Sequence, residues 1–283
     1  MRRVTISRVL VLMIALGIPL LLAVWSFFIE PNRLVIHKET IKLEKSAAHL
    51  NGLSIAVLSD IHAGGPFIDE DKLREIVRRT NELSPYFVVI LGDLMVRDNW
   101  SNKPIEPEVI AAILKDLRPE GYVYAVLGNH DWWYDGNRVR QALEKNGIKV
   151  LENEIAPVVD PDSRLWIAGL ADAWTRPQDI EATLAKVPPG HTVIALTHNP
   201  DVFLKIPSSV ALTLAGHTHG GQVNLPLVGR LVVPSDYGQR FAAGHIVEDG
   251  KHLFVTTGIG TSVFPVRFRV PPEIAFLTFN SAN

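Results

Sequence analysis

Residues 123–131 read VYAVLGNHD, five apolar residues followed at once by a glycine, an amide, an imidazole and a carboxylate. The apolar run has the length of a buried strand, and the glycine allows a tight turn directly after it. The polar side chains therefore stand at the C-terminal tip of a predicted strand. Four other segments repeat this plan: IAVLSDIH (55–62), VVILGD (88–93), VIALTHNPD (193–201) and ALTLAGHTHGG (211–221).

Outward from these segments, strands and helices alternate along the chain. Strands are predicted over 54–59, 87–91, 123–127, 165–170, 192–197 and 210–215, after an earlier strand over 33–43. Helices are predicted over 69–83, 106–117, 137–146 and 178–187. This alternation is typical of a layered α/β domain. After residue 222 the pattern changes to strands and turns (231–233, 245–247, 253–257 and 274–279), which favours an all-β edge or a second sheet.

Metal-capable side chains collect at the predicted strand tips. They are Asp60, His62, Asp93, Asn129, His130, His198, His217 and His219. Ligand sites in open α/β sheets lie beyond the carboxyl ends of the strands, so these side chains can converge. In both the D-x-H and the H-x-H pair, a spacing of two would place both side chains on one side of an extended backbone. One such residue is usually a cap or a core histidine, but five ordered motifs would need five unrelated explanations.

The amino-acid composition excludes several classes of protein and of functional site. Apolar residues make up 47% and charged residues 20% of the 283 residues, which excludes a disordered or fibrous chain. The net charge of −2 provides no basic field for nucleic-acid binding. The chain has no cysteine, which excludes disulfide scaffolds, cysteine zinc sites, iron–sulfur clusters and thiol catalysis. A transition metal would need imidazole, carboxylate and amide ligands.

Residues 9–29 carry no charge and, as a helix, would span about 30 Å, the thickness of a bilayer's hydrocarbon core. We therefore predict a single-pass anchor over residues 1–30, in contact with lipid through 9–29, and one domain over 31–283. Cleavage as a signal peptide and a helix in the domain core are the alternatives. Three arginines precede the run and favour a domain outside the cytoplasm, on the inner membrane. Basic residues on the other flank weaken that orientation: Arg33, Lys38, Lys42 and Lys45.

In this order the five motifs resemble those of the calcineurin-like metallophosphoesterases: D-x-H, G-D, G-N-H-[DE], H and G-H-x-H. The resemblance covers roughly residues 52–279. It is strongest to bacterial membrane-anchored phosphoesterases, through the apolar head, GHTHGGQ (216–222), LPLVGRLVVPSDYGQRFAAG (225–244) and TTGIGT…FPVRFRVPPEI (256–274). It implies a double β-sheet sandwich flanked by helices, with a two-metal site at one edge.

The resemblance also implies roles for the motif residues. Asp60, His62 and His219 would hold one metal, Asp93 would bridge both, and Asn129, His198 and His217 would complete the second. The two ions would activate hydroxide for attack on phosphorus, and His130 would protonate the leaving alkoxide. This mixed oxygen and nitrogen ligand set suits Mn²⁺, Fe, Zn²⁺ or Ni²⁺.

The chain departs from the protein phosphatases of this superfamily, which continue G-D-x-x-D-R. Val96 replaces the second aspartate of that motif, which counts against a Ser/Thr protein phosphatase. Arg97 is a candidate phosphate clamp or a solvated loop charge. Asp131 is a candidate supporting residue. The three aromatic residues after it form either an apolar wall for a base or acyl chain, or ordinary packing: Trp132, Trp133 and Tyr134.

The predicted function is metal-dependent hydrolysis of a phosphodiester or pyrophosphate bond in a nucleotide- or lipid-linked substrate. One alternative is hydrolysis of UDP-2,3-diacylglucosamine in lipid A synthesis. The anchor favours it, but that nucleotide is cytoplasmic, opposite to the side that the arginines indicate. A non-catalytic, membrane-tethered metal-binding module is a second alternative, and it is disfavoured because no motif residue is missing. The sequence predicts no oligomeric state.

Overall fold

The computed structural model describes residues 2–43, 49–96, 104–158 and 164–281. Its helices are α1 (Arg2–Val24), α2 (Glu70–Asn81), α3 (Pro107–Leu114), α4 (Asn129–Lys145) and α5 (Ile180–Leu184). Its strands are β1 (Val35–Leu43), β2 (Ser54–Leu58), β3 (Phe87–Ile90), β4 (Val123–Ala125), β5 (Lys149–Val150), β6 (Glu154–Pro157), β7 (Leu165–Gly169), β8 (Thr192–Leu196), β9 (Leu212–Ala215), β10 (Asn224–Leu225), β11 (Gly229–Arg230), β12 (Gly244–Glu248), β13 (Lys251–Val255) and β14 (Glu273–Ser281).

The N-terminal helix α1 continues through a π-helical turn (Trp25–Ile29) and a 3₁₀ turn (Glu30–Asn32). Within it, Met13–Asn32 is long and apolar enough to cross a membrane, with a mean hydropathy of 2.0. Its leucines are exposed, with Leu16 at 66% and Leu21 at 69%. The alternative that this segment is a core helix of the domain is therefore wrong.

Two six-stranded sheets form a sandwich. The first has the order β1-β14-β2-β3-β4-β5 and the second has the order β12-β13-β9-β8-β7-β6, while β10 and β11 form a separate hairpin. Alternation along β2 shows how the layers arise. Ile55 and Val57 face the core between the sheets, whereas Ala56 and Leu58 face the helices outside the first sheet. Strands covered on both faces need apolar residues at every position, which explains the continuous apolar runs.

Helix α2 covers the outer face of the first sheet. Its buried residues Leu73, Ile76 and Val77 lie on one side of the helix, as the spacing of three and four residues requires. The side chain of Asp69 accepts a hydrogen bond from the backbone N–H of Lys72 and begins the helix. The predicted double-sheet sandwich flanked by helices is confirmed.

The prediction of an all-β edge or a second sheet agrees with β12 and β13, which form an edge of the second sheet, but is wrong for β14. Strands β12 and β13 extend the second sheet, whereas β14 inserts into the first sheet between β1 and β2. Residues 231–233 do not form a strand. Helix α4 has a kink at Asp135, where the backbone is not helical. The part after the kink agrees with the helix predicted over 137–146, and the part before it begins at Asn129, so a site motif forms its first turn. The short strands β5, β6, β10 and β11 were not predicted, because two to four residues carry too little periodicity.

The parallel strands bring the predicted site together. Strands β2, β3 and β4 run parallel in the first sheet, and β7, β8 and β9 run parallel in the second. Their carboxyl ends meet across the sandwich, where the backbone N–H of His217 donates to the carboxylate of Asp60 at 3.0 and 3.1 Å. Gly216 permits this approach, because a Cβ there would lie 2.0 Å from Ser59 Oγ.

Candidate metal centre

All eight side chains of the predicted site lie in one place, on loops and a helix start that directly follow strands. Asp60 and His62 follow β2, Asp93 follows β3, and Asn129 and His130 form the first turn of α4 after β4. The remaining three come from the second sheet: His198 after β8, and His217 and His219 after β9. Seven are buried, and His130 is half-buried.

The backbone around these residues is left-handed rather than extended. Five of them have positive φ: Asp60 (51°), His62 (47°), Asp93 (53°), His217 (68°) and His219 (51°). The prediction that each spaced pair shares one side of an extended strand is therefore wrong. Such conformations cost of order 1–3 kcal/mol each for residues other than glycine, so the surrounding structure must hold them. Hydrogen bonds between neighbouring loops do so, for example from Asp60 N to Gly92 O at 3.0 Å.

The side chains form two clusters that meet at Asp93. In the first, His62 Nε2 lies 3.1 Å from His219 Nε2, which lies 3.4 Å from Asp60 Oδ1. In the second, His198 Nε2 lies 3.1 Å from His217 Nδ1 and 3.3 Å from Asp93 Oδ2. Asp93 Oδ2 also lies 3.8 Å from His62 Nε2, in the first cluster. Within each cluster the donor atoms are within 4.8 Å of one another.

The hydrogen bonds behind the imidazoles determine which ring nitrogens face the clusters. His62 Nδ1 lies 3.1 Å from the carbonyl oxygen of Met95, and His198 Nδ1 lies 2.7 Å from that of Leu91. A carbonyl oxygen only accepts, so each Nδ1 donates and each Nε2 faces inward. A backbone carbonyl behind an imidazole is typical of metal-binding histidines. The buried Oδ1 of Asn129 has no hydrogen-bond partner in the described part of the chain. This arrangement of donor atoms fits cations.

The electrostatics of the clusters also favour cations. Burial would raise the pKa of Asp93, but His198 and neighbouring imidazoles hold it well below its usual range. Burial raises the pKa of Asp60 to about 6, with the Asp93 carboxylate adding to the effect. Burial would lower the pKa of His198, yet the two carboxylates raise it to about 10. Burial lowers the pKa of His62 to about 3, which keeps that ring neutral. The two carboxylates are therefore stabilised by positive charge nearby. A divalent cation can supply that charge in place of the proton on His198.

Asp131 joins two of the site loops. Its Oδ1 accepts hydrogen bonds from Leu94 N at 2.9 Å and Met95 N at 3.0 Å, and its Oδ2 accepts one from Gly128 N at 3.0 Å. Burial, with the nearby Asp93 carboxylate adding to the effect, raises the pKa of Asp131 to about 7. The carboxylate therefore supports the loop of Asp93 and stays clear of the two clusters.

His130 is half-buried and lies beside His62 and Asp93, and the donor atoms of these three residues are also within 4.8 Å of one another. Its backbone N–H donates to Asp93 Oδ1 at 2.8 Å, which leaves Oδ2 facing the imidazoles. Its ring lies 4.7 Å from the ring of His62 and 5.0 Å from that of Trp133, between centroids. Half-burial beside the clusters is the position that an acid needs in order to reach a substrate.

The three aromatic residues after Asp131 have different surroundings, and a wall for a base or acyl chain stays a prediction. Trp133 is 44% exposed and borders the site through His130. Trp132 donates to Glu152 Oε1 and packs against the core, and Tyr134 donates to Glu106 Oε2. Val96 is buried, and Arg97 lies outside the described residues.

Trp174 is the site residue that the sequence analysis missed. Its ring is 54% exposed and lies edge-on to His217, with centroids 4.3 Å apart, and 6.5 Å from Trp133. Asp172 shapes its turn by accepting hydrogen bonds from Trp174 N and Thr175 N. The signal was present, because Trp174 follows β7 at the same edge as the other strand tips.

Buried imidazoles and carboxylates in two linked clusters, at the carboxyl edge of a double-sheet sandwich, define a class of metal-dependent hydrolases. The family model for the calcineurin-like phosphoesterases matches residues 53–221. The chain belongs to this family, whose members are hydrolases acting on phosphoester bonds, and the predicted resemblance is confirmed.

Characterised and uncharacterised relatives span most of the chain. The uncharacterized metallophosphoesterase YkuE of Bacillus subtilis is 32% identical, over 90% of this chain and 89% of the relative. Phosphodiesterase YaeI of Escherichia coli is 28% identical, over 79% and 80%. UDP-2,3-diacylglucosamine pyrophosphatase LpxG of Chlamydia trachomatis is 26% identical, over 93% and 94%.

Proposed function

We propose that this protein hydrolyses phosphodiester or pyrophosphate bonds with two divalent metal ions. The observation that carries the proposal is the pair of donor clusters that meet at Asp93 Oδ2. Asp60, His62 and His219 would hold one ion, and His198, His217 and Asn129 the other, with Asp93 between them. The donor set suits Mn²⁺, Fe, Zn²⁺ or Ni²⁺.

The bound ions would supply an activated water and neutralise charge on the phosphoryl oxygens. Residues of the chain would donate the proton and bind the phosphate group. His130, half-buried beside His62, would donate a proton to the leaving oxygen of the substrate. Its backbone N–H holds Asp93, so proton donor and metal ligand keep a constant spacing. We also propose Arg97 as a clamp for the phosphate group, from its position four residues after Asp93.

The two exposed tryptophans support a substrate with a bulky substituent on phosphorus. Trp133 and Trp174 border the clusters from separate elements, with ring centroids 6.5 Å apart. Indole faces bind bases, sugars and acyl chains by stacking and apolar contact. A diester or pyrophosphate carries such a group on both sides of the phosphorus, whereas a monoester carries it on one.

The apolar helix supports a membrane anchor over residues 1–30, followed by the phosphoesterase domain over 31–283. Met13–Asn32 meets the length that a bilayer requires. Its amino-terminal arginines favour an inner-membrane protein with the domain outside the cytoplasm. The sequence similarity to LpxG and the anchor favour a second candidate function, hydrolysis of a lipid-linked pyrophosphate such as UDP-2,3-diacylglucosamine. A topology reporter fused after Asn283 separates the two, because that nucleotide requires a cytoplasmic domain.

The test uses the full chain in detergent, stripped with a chelator and reloaded separately with Mn²⁺, Zn²⁺, Fe²⁺ or Ni²⁺. Turnover is measured with bis-nitrophenyl phosphate, nitrophenyl phosphate and UDP-2,3-diacylglucosamine. We expect metal-dependent turnover of the diester above that of the monoester. Absence of turnover with every metal and substrate, in protein that binds two ions, would support the non-catalytic module instead.

The proton donor is tested with two diesters that differ in their leaving group. His130→Ala should slow an alkyl leaving group by about 10²-fold or more and slow nitrophenolate much less, because nitrophenolate needs no proton. His191→Ala, at a half-buried histidine before β8, is the matched control. Equal loss with both leaving groups would contradict the acid role.

A further inference from the structure

An exposed apolar surface lies beside the candidate metal centre. It consists of five large side chains, here called the apolar rim: Leu227 (109% exposed), Val228 (58%), Leu231 (66%), Val232 (75%) and Phe264 (60%). Four belong to the β10–β11 hairpin and the residues directly after it, and Phe264 belongs to the loop before β14. Single exposed apolar residues are ordinary, but a group of this size marks an interaction surface.

Hydrogen bonds hold the two parts of the apolar rim together. Gln222, at the base of the hairpin, accepts from Ser262 N at 2.7 Å through Oε1 and donates to Phe264 O at 3.2 Å through Nε2. The backbones also pair, since Asn224 N donates to Phe268 O at 2.9 Å and Phe268 N donates to Gln222 O at 2.8 Å. The hairpin and the loop therefore act as one unit.

The same loop holds the end of the apolar N-terminal helix. Arg267 N donates to Ser26 O at 3.0 Å, and Val270 N donates to Glu30 Oε1 at 2.8 Å. Trp25 Nε1 donates to the other oxygen of Glu30 at 2.6 Å. The guanidinium of Arg267 is fully buried and donates to four backbone carbonyls of the loop, those of Thr257, Gly258, Gly260 and Val270. The apolar rim therefore has a firm position beside the end of the proposed anchor.

The hairpin is also tied to the metal centre. Arg230 Nε, in β11, donates to Gly220 O at 2.8 Å, and Gly220 directly follows His219. Val223, four residues after His219 and directly before β10, forms a backbone bridge to Phe268. A membrane surface that contacted the apolar rim would thus lie close to His219, a member of the first cluster.

We propose that the apolar rim inserts into the interfacial layer of the lipid bilayer, beside the anchor, so that the metal centre draws a lipid-linked phosphoester from the membrane surface. The inference rests on the membrane anchor proposed above. Continuity with the anchor selects lipid over a protein partner, because the anchor's end and the apolar rim are fixed to the same loop. Two exposed arginines border this region in sequence, Arg33 and Arg269, where anionic headgroups would attract them.

The absence of cysteine allows single-site labelling of the full chain. Leu227→Cys and Phe264→Cys each receive an environment-sensitive fluorophore, and the protein is reconstituted into phosphatidylcholine–phosphatidylglycerol vesicles with nitroxide-labelled lipid. Leu21→Cys reports on the anchor itself. Glu120→Cys is the exposed control, because it precedes β4 at the opposite end of the sheet. We expect at least threefold quenching at 21, 227 and 264, and no quenching at 120.

The outcomes separate this inference from the proposals on which it rests. Quenching at 21 without quenching at 227 and 264 contradicts insertion of the apolar rim into the bilayer but supports the membrane anchor. Absence of quenching at all positions overturns both. Turnover of bis-nitrophenyl phosphate is measured on the same samples, and we expect Leu227→Cys and Glu120→Cys to retain it. If no preparation hydrolyses the soluble substrate bis-nitrophenyl phosphate, that result counts against the proposed catalytic function, whatever the quenching shows.

Discussion

Two buried regions of the molecule lie only a few residues apart along the chain: the core between the two sheets, and the edge where the strands end. They differ in the polarity of their side chains and in their backbone conformation. In the core, Val57, Ile167 and Leu214 are fully buried in regular strands and face other apolar side chains. At the edge, Asp60 and His217 are also buried, but they are polar and have left-handed backbones. Burial of such groups costs free energy. The comparison indicates that the sandwich supplies stability, and that the edge lowers it by holding buried polar side chains together in the two clusters.

The strongest test of this division removes the carboxylate shared by the two clusters. Asp93→Asn keeps the size of the side chain but loses the negative charge that faces both sets of imidazoles. Metal-ion stabilisation of a transition state is worth several kcal/mol, so we expect turnover to fall by about 10³-fold or more. Elemental analysis should find fewer than two ions per chain. Asp116→Asn, at an exposed carboxylate after α3, should change neither value.

A second substitution displaces the Asp93 carboxylate without replacing any side chain of the two clusters. A Cβ on Gly128 would lie 2.2 Å from Asp93 Oδ1 and 2.7 Å from Asp93 N, so Gly128→Ala must move that carboxylate. Displacement of about 1 Å in an active site can cost about 10²-fold in rate, and we expect a loss of that order. Gly17→Ala is the control, because among the described residues no atom outside the helix backbone lies within 4 Å of its new methyl group. Normal turnover in Gly128→Ala would show that the edge tolerates more movement than its packing indicates.

The reverse test alters the core and leaves the edge alone. Ile167 is fully buried in β7, a strand without a predicted ligand, and it faces the core between the sheets. Ile167→Ala should lower the free energy of unfolding by about 2–5 kcal/mol, measured by denaturant titration in detergent. Bound metal per folded chain should stay the same. Val247→Ala, at an exposed position in β12, should change stability by less than about 0.5 kcal/mol. Loss of metal from folded Ile167→Ala protein would contradict the separation of the two regions.

The smallest effect concerns an ion pair at the start of β1, between the half-buried His37 and the buried Glu273 and away from the two clusters. His37 Nδ1 lies 3.0 Å from Glu273 Oε2, and this hydrogen bond raises the pKa of His37 above 6.5 although burial lowers it. The stabilisation is complete below the unfolded pKa and is lost as pH rises through the folded pKa. Glu39 adds to it from the exposed side.

His37→Gln should therefore cost more at pH 5.5 than at pH 9, by less than about 1 kcal/mol, since the His37 side chain is 36% exposed. Denaturant titrations at the two pH values measure the difference. His191→Gln provides the comparison for loss of a histidine that bonds backbone carbonyls. A larger cost at pH 9 than at pH 5.5 would reverse the assigned sign.

Several features of the site were predictable from local sequence. The strand-tip rule places Asp60, Asp93 and His217 at one edge, because parallel strands align their carboxyl ends. The same rule also applies to Trp174, which follows β7, but the indole is not a metal ligand and the segment carries none of the five motifs. The supporting role of Asp131 could not be assigned from the sequence. The hydrogen bonds that it accepts from Leu94 N and Met95 N depend on where a different loop lies in space.

The amino-acid sequence by itself determined the layers, the alternation of strands and helices, the apolar N-terminal segment and the family, since these depend on periodicity, composition and ordered motifs. Tertiary structure decided the rest. The insertion of β14 beside β2, the left-handed backbones at the edge and the joining of the apolar rim to the helix end all rest on contacts between distant segments. Local propensity carries no information about such contacts, because their free energy exists only once both segments are in place.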